Sequence, residues 1–505
     1  MSGHKQELSP LQGATLVIAT LTISIITAMT VLDSTIANVS LPTIAGDLGA
    51  ASSQGTWVIT FFGVANAIGI PLTGWLARRF GEVRLYFWST FLFVASSFLC
   101  GLSTSLGMLI VCRVIQGAAS GPLIPLSQSL LLACFPHDKR GIALSLWSMT
   151  IVIAPILGPI LGGYICENTT WHWIFFVNVP VGAICLIGLR ITMAGRETPT
   201  ARHTIDAVGL ILLVVGLGAL QLMLDEGKDK GWFSSEYIVA LGVIAAVAIV
   251  FLIAWELTEE HPIIDLFLFR NRNFAIGTVC FSLGCMLYLA GLVLIPMMLQ
   301  TRLGYTAIWA GFSLAPIGTF PLFLAPIIGR FANRLDMRLF VSASFLVFAA
   351  SFYMRALFPP DVDFRSILLP MFVQSLGLAL FVTPIASIIF SSLGPRDIAN
   401  ASSLSNCIRV LASSVGSSLA TTMWERLESL HHVRLTEHIT SLSPSTDQML
   451  EQLSTLGLST EQGHAWIADE ITRQGFLLGF NELFWLGALI FTALAGLIWL
   501  TSPSR

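Results

Sequence analysis

The chain alternates between long runs of apolar residues and short polar connections. A helix needs about 20 mostly apolar residues to span a bilayer. Fourteen runs meet that requirement, at 13–39, 53–77, 84–103, 105–132, 140–164, 172–192, 206–224, 237–257, 273–299, 306–331, 338–355, 366–390, 402–424 and 481–501. Only one connection, at 425–480, is long. The pattern predicts an all-α polytopic membrane protein with fourteen transmembrane helices.

Composition supports this class and excludes several others. Of the 505 residues, 55% are hydrophobic and 11% are charged, whereas a soluble globular domain has about 25% charged residues. The net charge is -3 and no basic tract occurs, so nucleic acid is not an expected partner. The eight cysteines are scattered, and the densest histidine group, at 431–438, has no zinc-site spacing. No nucleophile–base constellation stands out, so we expect no metal, no other cofactor and no enzyme activity.

The Lys and Arg residues of the short connections set the expected orientation, because these residues concentrate on the cytoplasmic side. They are abundant in alternate connections, for example at 78–84, 139–140 and 270–272, and sparse in the others. This predicts cytoplasmic termini and an external 425–480 segment. The leucines of that segment recur at helix-like spacing, which predicts short amphipathic helices lying on the lipid surface.

Two sequence motifs recur along the chain. The pairs are GWLARRFGEVR (74–84) with GRFANRLDMR (329–338), and RVIQGAASGPLIP (113–125) with FVQSLGLALFVTP (372–384). The repeat skips two apolar runs. It therefore predicts an N-terminal six-helix half (1–203), two linker helices (204–260) and a C-terminal six-helix half (261–505). Repeated halves are typical of transporters whose substrate site lies between the halves near the bilayer midplane.

Ionisable groups inside apolar runs need an explanation, because inserting a charge near the bilayer centre costs about 2.5–3.5 kcal/mol. Asp33 lies in the first run and suits a reversible proton carrier; the alternative is a carboxylate that only hydrogen-bonds its neighbours. Arg113 in the fourth run keeps its proton, so it would tune a nearby acid or cap carbonyl groups. Gln116, one turn further on, is a predicted network partner. Arg409 in the thirteenth run would face the substrate cavity or pack beside the linker helices.

Aromatic and amide side chains among apolar residues predict a pocket for amphipathic compounds. The alternative is ordinary helix packing with interfacial tryptophan belts. The predicted lining comprises Trp57, Phe61, Phe62, Asn66, Gln128, Gln374, Thr383 and Arg409.

The fifth apolar run contains the stretch IAPILGPILGGY (153–164). Proline and glycine disfavour helix interiors in water, but neighbouring helices re-satisfy the freed backbone groups in a membrane bundle. Small residues four apart let two helices approach closely. The stretch therefore predicts a bent helix at a tight seam, or tight packing alone. The residues concerned are Ala154, Pro155, Gly158, Pro159, Gly162 and Gly163.

Several motifs, in their order along the chain, resemble the major facilitator superfamily and, within it, the fourteen-helix drug:proton antiporters of the EmrB type. They are LDSTIANVSLP (32–42), GTWVITFFGVANAIGIPLTGWLA (55–77), RVIQG (113–117), APILGPILGG (154–163) and WHWIFFVNVP (171–180). The resemblance implies the major facilitator fold and proton coupling through Asp33 and Arg113. It also implies that the span 5 stretch lies between the two halves.

A cytoplasmic gating loop after span 2 is a further implication of the resemblance. Its residues are Gly74, Arg78, Arg79, Gly81 and Arg84. Arg78 stands where the general superfamily motif has an acidic residue, a basic replacement that EmrB-type members share. Such exporters lie in the inner membrane of Gram-negative bacteria. They work with a periplasmic membrane-fusion adaptor and a TolC-like outer-membrane channel. The 425–480 segment is the expected adaptor contact; the alternative is a passive cover or a lipid-surface anchor.

The leading hypothesis is proton-driven export of hydrophobic or amphipathic toxic compounds by alternating access. The sequence has no GxxxxGK[ST] motif, so ATP is not the expected energy source. A proton-coupled symporter for a nutrient or siderophore would share the fold, although the span 5 motif argues against it. A non-transporting membrane receptor or assembly protein would not need Asp33 and Arg113 inside the bilayer.

Overall fold

The regular structure of the described chain is entirely helical. The computed structural model describes residues 10–50, 52–200, 206–259, 262–331, 335–360, 362–394, 397–437, 439 and 444–503, and no strand occurs among them. The predicted boundaries at 203–204 and 260–261 lie outside this part of the chain. His438 and residues 332–334 of the second repeated motif also lie outside it.

Fourteen long helical segments account for most of the described residues. They are α1 (Gly13–Asp47), α2 (Trp57–Phe80), α3 (Glu82–Gly101), α4 (Leu106–Cys134), α5 (Arg140–Asn168), α6 (Trp173–Thr192), α7 (Ala207–Glu226), α8 (Glu236–Glu256), α9 (Arg272–Thr301), α10 (Trp309–Arg330), α11 (Met337–Arg355), α12 (Phe364–Phe390), α13 (Ile398–Thr436) and α14 (Thr460–Leu497). Two shorter helices, Ser52–Gly55 and Pro444–Thr455, lie in the connections.

Within the described ranges, twelve helices are long and apolar enough to cross a membrane. The chain is therefore a multi-pass membrane protein. The other two segments, α5 and α13, are helical over their predicted spans. α5 is apolar over Arg140–Pro155, after which several side chains lie outside the described set, and α13 is less apolar than the twelve. In α13 the cause is its many serines, whose hydroxyls bond backbone carbonyls, as Ser413 does to Arg409 O at 2.7 Å. Fourteen long helical segments thus match the fourteen predicted spans in position, and twelve of them are also long and apolar enough to cross a membrane.

The helices pair in the same way in two groups of six. In the first group, α1 packs against α5 and α6, while α3 packs against α4 and α6. In the second group, α9 packs against α13 and α14, while α11 packs against α12 and α14. The pairing therefore repeats with an offset of eight helices. We call α1–α6 the N-terminal half and α9–α14 the C-terminal half.

A local break in one helix of each half follows the same repeat. α4 is interrupted between Ser120 and Leu123, and α12 is interrupted between Ala379 and Val382. When the recurring motifs 113–125 and 372–384 are superposed end to end, the two breaks coincide. In α4 the break brings Gly121 against the backbone of Gly69 on α2, where a Cβ would lie 2.5 Å from Gly69 C.

Both ends of the described chain lie on one face of the bundle, which we call the terminal face. The backbone N–H of Leu11 donates to Cys134 O at 2.9 Å. At the other end of the chain, Ser502 N donates to Asn273 Oδ1 at 2.7 Å. The connection between α13 and α14 therefore lies on the opposite face.

The linker helices α7 and α8 pack against each other, and α7 also packs against α2 and α13. Hydrogen bonds hold this linker to α13 at several levels. Ser418 Oγ donates to Leu224 O at 2.8 Å, and Trp232 Nε1 donates to Thr422 Oγ1 at 2.9 Å. These hydrogen bonds follow successive turns of α13 and connect the linker to the C-terminal half. α7 also packs on α2 of the N-terminal half.

The described part of the 425–480 segment is helical, but only Pro444–Thr455 forms a short separate helix as predicted. α13 continues to Thr436 and α14 begins at Thr460, so both helices extend beyond their predicted spans. Trp424 Nε1 donates to Phe476 O at 2.8 Å, which binds the two helices together. The short helix Pro444–Thr455 packs on α14 through Leu453. At 1.5 Å per residue, the part of α13 after Trp424 is about 18 Å long.

Candidate proton-coupling site and contacts between the halves

The two charges predicted inside the N-terminal half form an ion pair. Arg113 Nη1 donates to Asp33 Oδ2 at 2.6 Å, and both side chains are 0% exposed. Gln116 bridges them, because its Nε2 donates to Asp33 Oδ1 at 3.1 Å and its Oε1 accepts from Arg113 Nη1 at 2.8 Å. The structure therefore brings the three predicted residues into direct contact between α1 and α4.

Two further residues complete this network, and sequence reasoning missed both. Asn178 Nδ2 on α6 donates to Asp33 Oδ1 at 2.7 Å and to Ser97 Oγ on α3 at 3.0 Å. Asn178 lies within the segment WHWIFFVNVP, where an amide in an apolar helix was an available signal. Ser97 offered no signal, because serine is common in membrane helices and usually bonds its own backbone.

The guanidinium of Arg113 lies between aromatic rings. Its Cζ is 4.0 Å from the ring centroid of Phe62 and 5.6 Å from that of Phe175. Its Nε also donates to Val58 O on α2 at 3.3 Å. Phe62, predicted as cavity lining, is buried and packs on Arg113 here. The aromatic faces supply a cation–π attraction that helps to offset the loss of water around the charge.

This geometry links the protonation state of Asp33 to the charge balance of the buried cluster. The carboxylate accepts hydrogen bonds from Arg113, Gln116 and Asn178 and neutralises the arginine. A proton on Asp33 would remove that neutralisation, and an unpaired buried charge is strongly unfavourable. The charge of the Asp33 carboxylate therefore decides whether the buried guanidinium of Arg113 is neutralised.

The glycine face of α5 packs within the N-terminal half, which corrects the expectation that it forms the seam between the halves. A Cβ on Gly158 would collide with Thr35 on α1, and a Cβ on Gly162 would lie 2.9 Å from Ile36 Cγ1. α5 does contact the C-terminal half, where Gly141 lies against Gly329 of α10. A Cβ on Gly329 would lie 2.5 Å from Gly141 O.

The remaining members of the span 5 motif have different surroundings. α5 is continuous through both prolines. Ala154 is buried, Pro155 is half-buried, and the side chain of Pro159 is outside the described set. A Cβ on Gly163 would meet nothing within 4 Å. Among the three glycines of the motif, Gly158 and Gly162 therefore make the close contacts with α1.

Near the terminal face, polar contacts join the two halves. Ser402 Oγ on α13 donates to Gln128 Oε1 on α4 at 2.6 Å, and Ser403 Oγ donates to Ile70 O on α2 at 2.6 Å. On the other side, Thr383 Oγ1 on α12 donates to Ser148 Oγ on α5 at 3.1 Å. Gln128 and Thr383 thus hold the halves together in this conformation instead of lining open space.

The start of the predicted gating loop is part of the same seam. A Cβ on Gly74 would collide with Asn400 at the start of α13. In its preferred amide orientation, Asn400 donates to Gly74 O at 3.2 Å and accepts from Arg78 Nη1 at 2.9 Å. Arg78 Nη2 also donates to Pro262 O at 3.2 Å. Arg78 is therefore a contact between the N-terminal half and the chain just before the C-terminal half.

The rest of the loop is organised by Glu197, which sequence reasoning also missed. Its carboxylate accepts from Val83 N at 3.0 Å and from Arg84 N at 2.9 Å, capping the start of α3. Gly81 has φ +90° and lies directly against Glu197, so any side chain there would collide. The Arg84 side chain is 73% exposed and 3.8 Å from Glu197 Oε2. Arg79 stacks on Trp75 and Phe80, with Cζ 5.6 Å and 5.9 Å from the ring centroids.

The other predicted cavity residues fall into separate groups. Trp57 is 39% exposed and meets Phe61 edge to face, with centroids 6.4 Å apart. Asn66 Nδ2 donates to Ser120 Oγ on α4 at 2.6 Å.

In the C-terminal half, Arg409 Nε donates to Asn406 Oδ1 at 3.2 Å, with Cζ 5.8 Å from the ring centroid of Phe281. Gln374 is buried against Arg355. Of the predicted lining residues, Gln128, Gln374 and Thr383 are buried in hydrogen-bonded contacts in this conformation, whereas Trp57 is exposed.

Two repeated six-helix groups, joined at one face, form an architecture that is typical of secondary transporters. The chain belongs to the Major Facilitator Superfamily, whose family model matches residues 23–417. This membership confirms the predicted family and fold class.

Relatives of known name are similar over nearly the full length. The chain is 56% identical over 499 residues to the multidrug export protein EmrB of Escherichia coli (strain K12), covering 99% of this chain and 98% of the relative. It is 50% identical to the fatty acid resistance protein FarB of Neisseria gonorrhoeae, covering 98% and 97%.

Among solved structures, the human organic anion transporter MFSD10 (TETRAN) has a TM-score of 0.61 at 13% identity, covering 96% of this chain and 100% of that chain. That likeness shows the fold alone.

Proposed function

We propose that the chain is a multidrug efflux transporter that exports hydrophobic and amphipathic compounds in exchange for protons. The observation that carries the coupling is the fully buried Asp33–Arg113 pair with Gln116 and Asn178. The names of relatives at 50–56% identity over nearly the whole chain support the export of toxic compounds. The energy source is the proton gradient, without a cofactor.

The transport cycle follows from the two observed features. With both termini cytoplasmic, the seam at Gly74, Gln128 and Thr383 closes the cytoplasmic side in this conformation. Proton uptake by Asp33 releases Arg113 and shifts α1. This shift changes the relative stability of the outward- and inward-facing states. A substrate then enters from the cytoplasmic side, and proton release restores the ion pair and the seam.

The chain has three parts, an N-terminal half (1–203), a linker (204–260) and a C-terminal half (261–505). The substrate path lies between the two halves. Trp57 and Phe61 on one face of α2 supply exposed aromatic surface, and Asn66 lies further along α2. Arg409 lies on the C-terminal side of the path. Gln128, Gln374 and Thr383 join this lining when the halves rearrange.

The location is the inner membrane of a Gram-negative cell, with the α13–α14 extension on the periplasmic side. A periplasmic membrane-fusion adaptor and a TolC-like outer-membrane channel complete the export path. The extension supports this partnership because it is a packed helical unit that reaches beyond the predicted spans. Replacing residues 425–480 with a short linker should abolish co-purification with the adaptor, and survival of the complex would reject this contact.

The coupling is tested with everted membrane vesicles that hold an acidic interior. Adding a transported compound should dissipate part of the pH gradient, which a pH-sensitive dye reports. Asp33→Asn should abolish this response while equilibrium binding of the compound to purified protein remains.

Asp225→Asn is the matched control, because Asp225 is also a carboxylate in a membrane helix but bonds only polar neighbours such as Gln221 at 3.0 Å. Its response should match that of the unaltered protein. An intact response in Asp33→Asn would remove Asp33 from the mechanism.

A further inference from the structure

A second fully buried guanidinium lies in the C-terminal half, at the end of α11. Arg355 is 0% exposed and its Nη2 donates to Gln374 Oε1 and to Met371 Sδ on α12, the latter at 3.3 Å. Its Nε and Nη1 have no hydrogen-bond partner among the described residues. The rings of Phe352 and Phe484 flank the group at 5.5 Å and 5.4 Å from Cζ.

This cluster occupies the counterpart of the Asp33 site. The Asp33 network uses the first, third, fourth and sixth helices of its half, with an Arg–Gln pair at its centre. The Arg355 cluster uses the third, fourth and sixth helices of the other half, and Arg355 again binds a glutamine. The first helix, α9, contributes Tyr288, which is near enough to interact electrostatically with Arg355. Each half thus holds a buried arginine bonded to a glutamine, although the arginine is on the fourth helix in one half and on the third in the other, and only the first half adds a carboxylate.

Among the described residues of this half, no acidic side chain takes the place of Asp33. Within residues 272–424 the sequence has four acids. Asp336, Asp363 and Asp397 directly precede α11, α12 and α13, and Asp361 lies outside the described residues. On α14, the carboxylate of Glu482 lies beside His431, with Glu482 Oε1 3.2 Å from His431 Nε2. Arginine keeps its proton in proteins, and a buried charge without a partner is strongly unfavourable. Arg355 therefore requires an anion.

We propose that Arg355 binds a compact monovalent anion of the size of chloride. The N–H groups of Nε and Nη1 are donors with no acceptor in the described part of the chain, and the anion supplies the negative charge that Asp33 supplies in the first half. Met371, Gln374 and the flanking rings are packed closely around the group, at 0–1% exposure for the first two. This packing favours a small ion over an organic substrate. The ion stabilises the C-terminal half and takes no part in proton exchange.

The test uses the purified full-length protein in lipid nanodiscs. Sodium gluconate is replaced stepwise by sodium chloride at constant ionic strength, and the thermal midpoint is recorded. A ligand that binds only the folded state raises the midpoint with a saturable dependence on its concentration. We expect that dependence for the unaltered protein and its loss in Arg355→Gln. A parallel titration with acetate distinguishes a halide site from one that also accepts carboxylates.

Arg338→Gln is the matched control, because the guanidinium of Arg338 is already neutralised by Asp336 at 2.6 Å. This variant should retain the full chloride response. If Arg355→Gln does not fold, Arg355→Lys keeps the charge with a different donor geometry, and its half-maximal chloride concentration should rise at least severalfold. The absence of a saturable response to either anion in the unaltered protein, or an equal response in the Arg355 variants, overturns the proposal.

Discussion

The contact of Gly158 with α1 gives the sharpest test of how the helices transmit movement. Gly158 faces Thr35, which lies only two residues along α1 from Asp33. In Gly158→Ala, the new methyl group would collide with Thr35 Oγ1 and lie 2.8 Å from Thr35 Cβ and 3.3 Å from Ile36 N. The backbone of α1 cannot move away without moving Asp33 relative to its partners.

The size of the effect follows from this geometry. Overpacking a close contact costs about 1–3 kcal/mol, and a bias of that size changes the ratio of two conformations by about 5–150-fold. Because the collision is present in the conformation whose terminal face is closed, Gly158→Ala should depopulate that conformation. Export rates in vesicles should fall by at least about fivefold, while the amount of protein in the membrane stays near normal.

Gly163→Ala is the matched control, because a Cβ at Gly163 meets nothing within 4 Å. Its export rate and thermal midpoint should equal those of the unaltered protein. Thr35→Ala removes the Oγ1 atom and should partly restore export to Gly158→Ala, which a double-mutant cycle measures. Equal behaviour of Gly158→Ala and Gly163→Ala would refute the argument.

Three further predictions concern the network, the loop and the seam. Asn178→Ala should lower export by at least severalfold at unchanged protein level, because a lost hydrogen bond to a buried charged group costs about 1.5–3 kcal/mol; unaltered export would remove Asn178 from the network. Glu197→Ala should lower the thermal midpoint through loss of about 1 kcal/mol of capping, whereas Arg84→Ala should have little effect because exposed ion pairs contribute little; equal shifts would contradict this. Asn400→Ala should increase labelling of a cysteine placed at Ser402 by a membrane-impermeant thiol reagent applied from the terminal face, and unchanged labelling would exclude Asn400 from the seam.

The sequence located the charged groups more reliably than it located their partners. Asp33, Arg113 and Gln116 were found because charged and amide groups are rare and costly in apolar helices. The same reasoning found Gln128 and Gln374, but one binds across the halves and the other binds Arg355. The sequence shows that such a residue is polar and lies in an apolar helix. Its hydrogen-bond partner depends on which helices pack together, which the local sequence does not show.

Helix continuity and helix neighbours were also beyond the reach of local patterns. The spacing of Gly158 and Gly162 correctly indicated a close helix contact, but nothing in that spacing distinguishes α1 from a helix of the other half. The leucines after residue 425 indicated helices, but periodicity alone does not show that α13 continues to Thr436. Glu197 lies in a polar connection, where its role depends on the distant start of α3.

The attachment of α7 to α13 makes the two sides of the bundle unequal. The halves of such a bundle meet along two vertical crevices, one between α2 and α13 and one between α5 and α10. α7 lies against the first, where it packs on α2 and where Gln221 Nε2 donates to Ser414 Oγ on α13 at 3.3 Å. A compound dissolved in the lipid is therefore shielded from the space between the halves on that side. Under the proposed function, a lipophilic substrate that enters from the bilayer would therefore do so on the α5–α10 side.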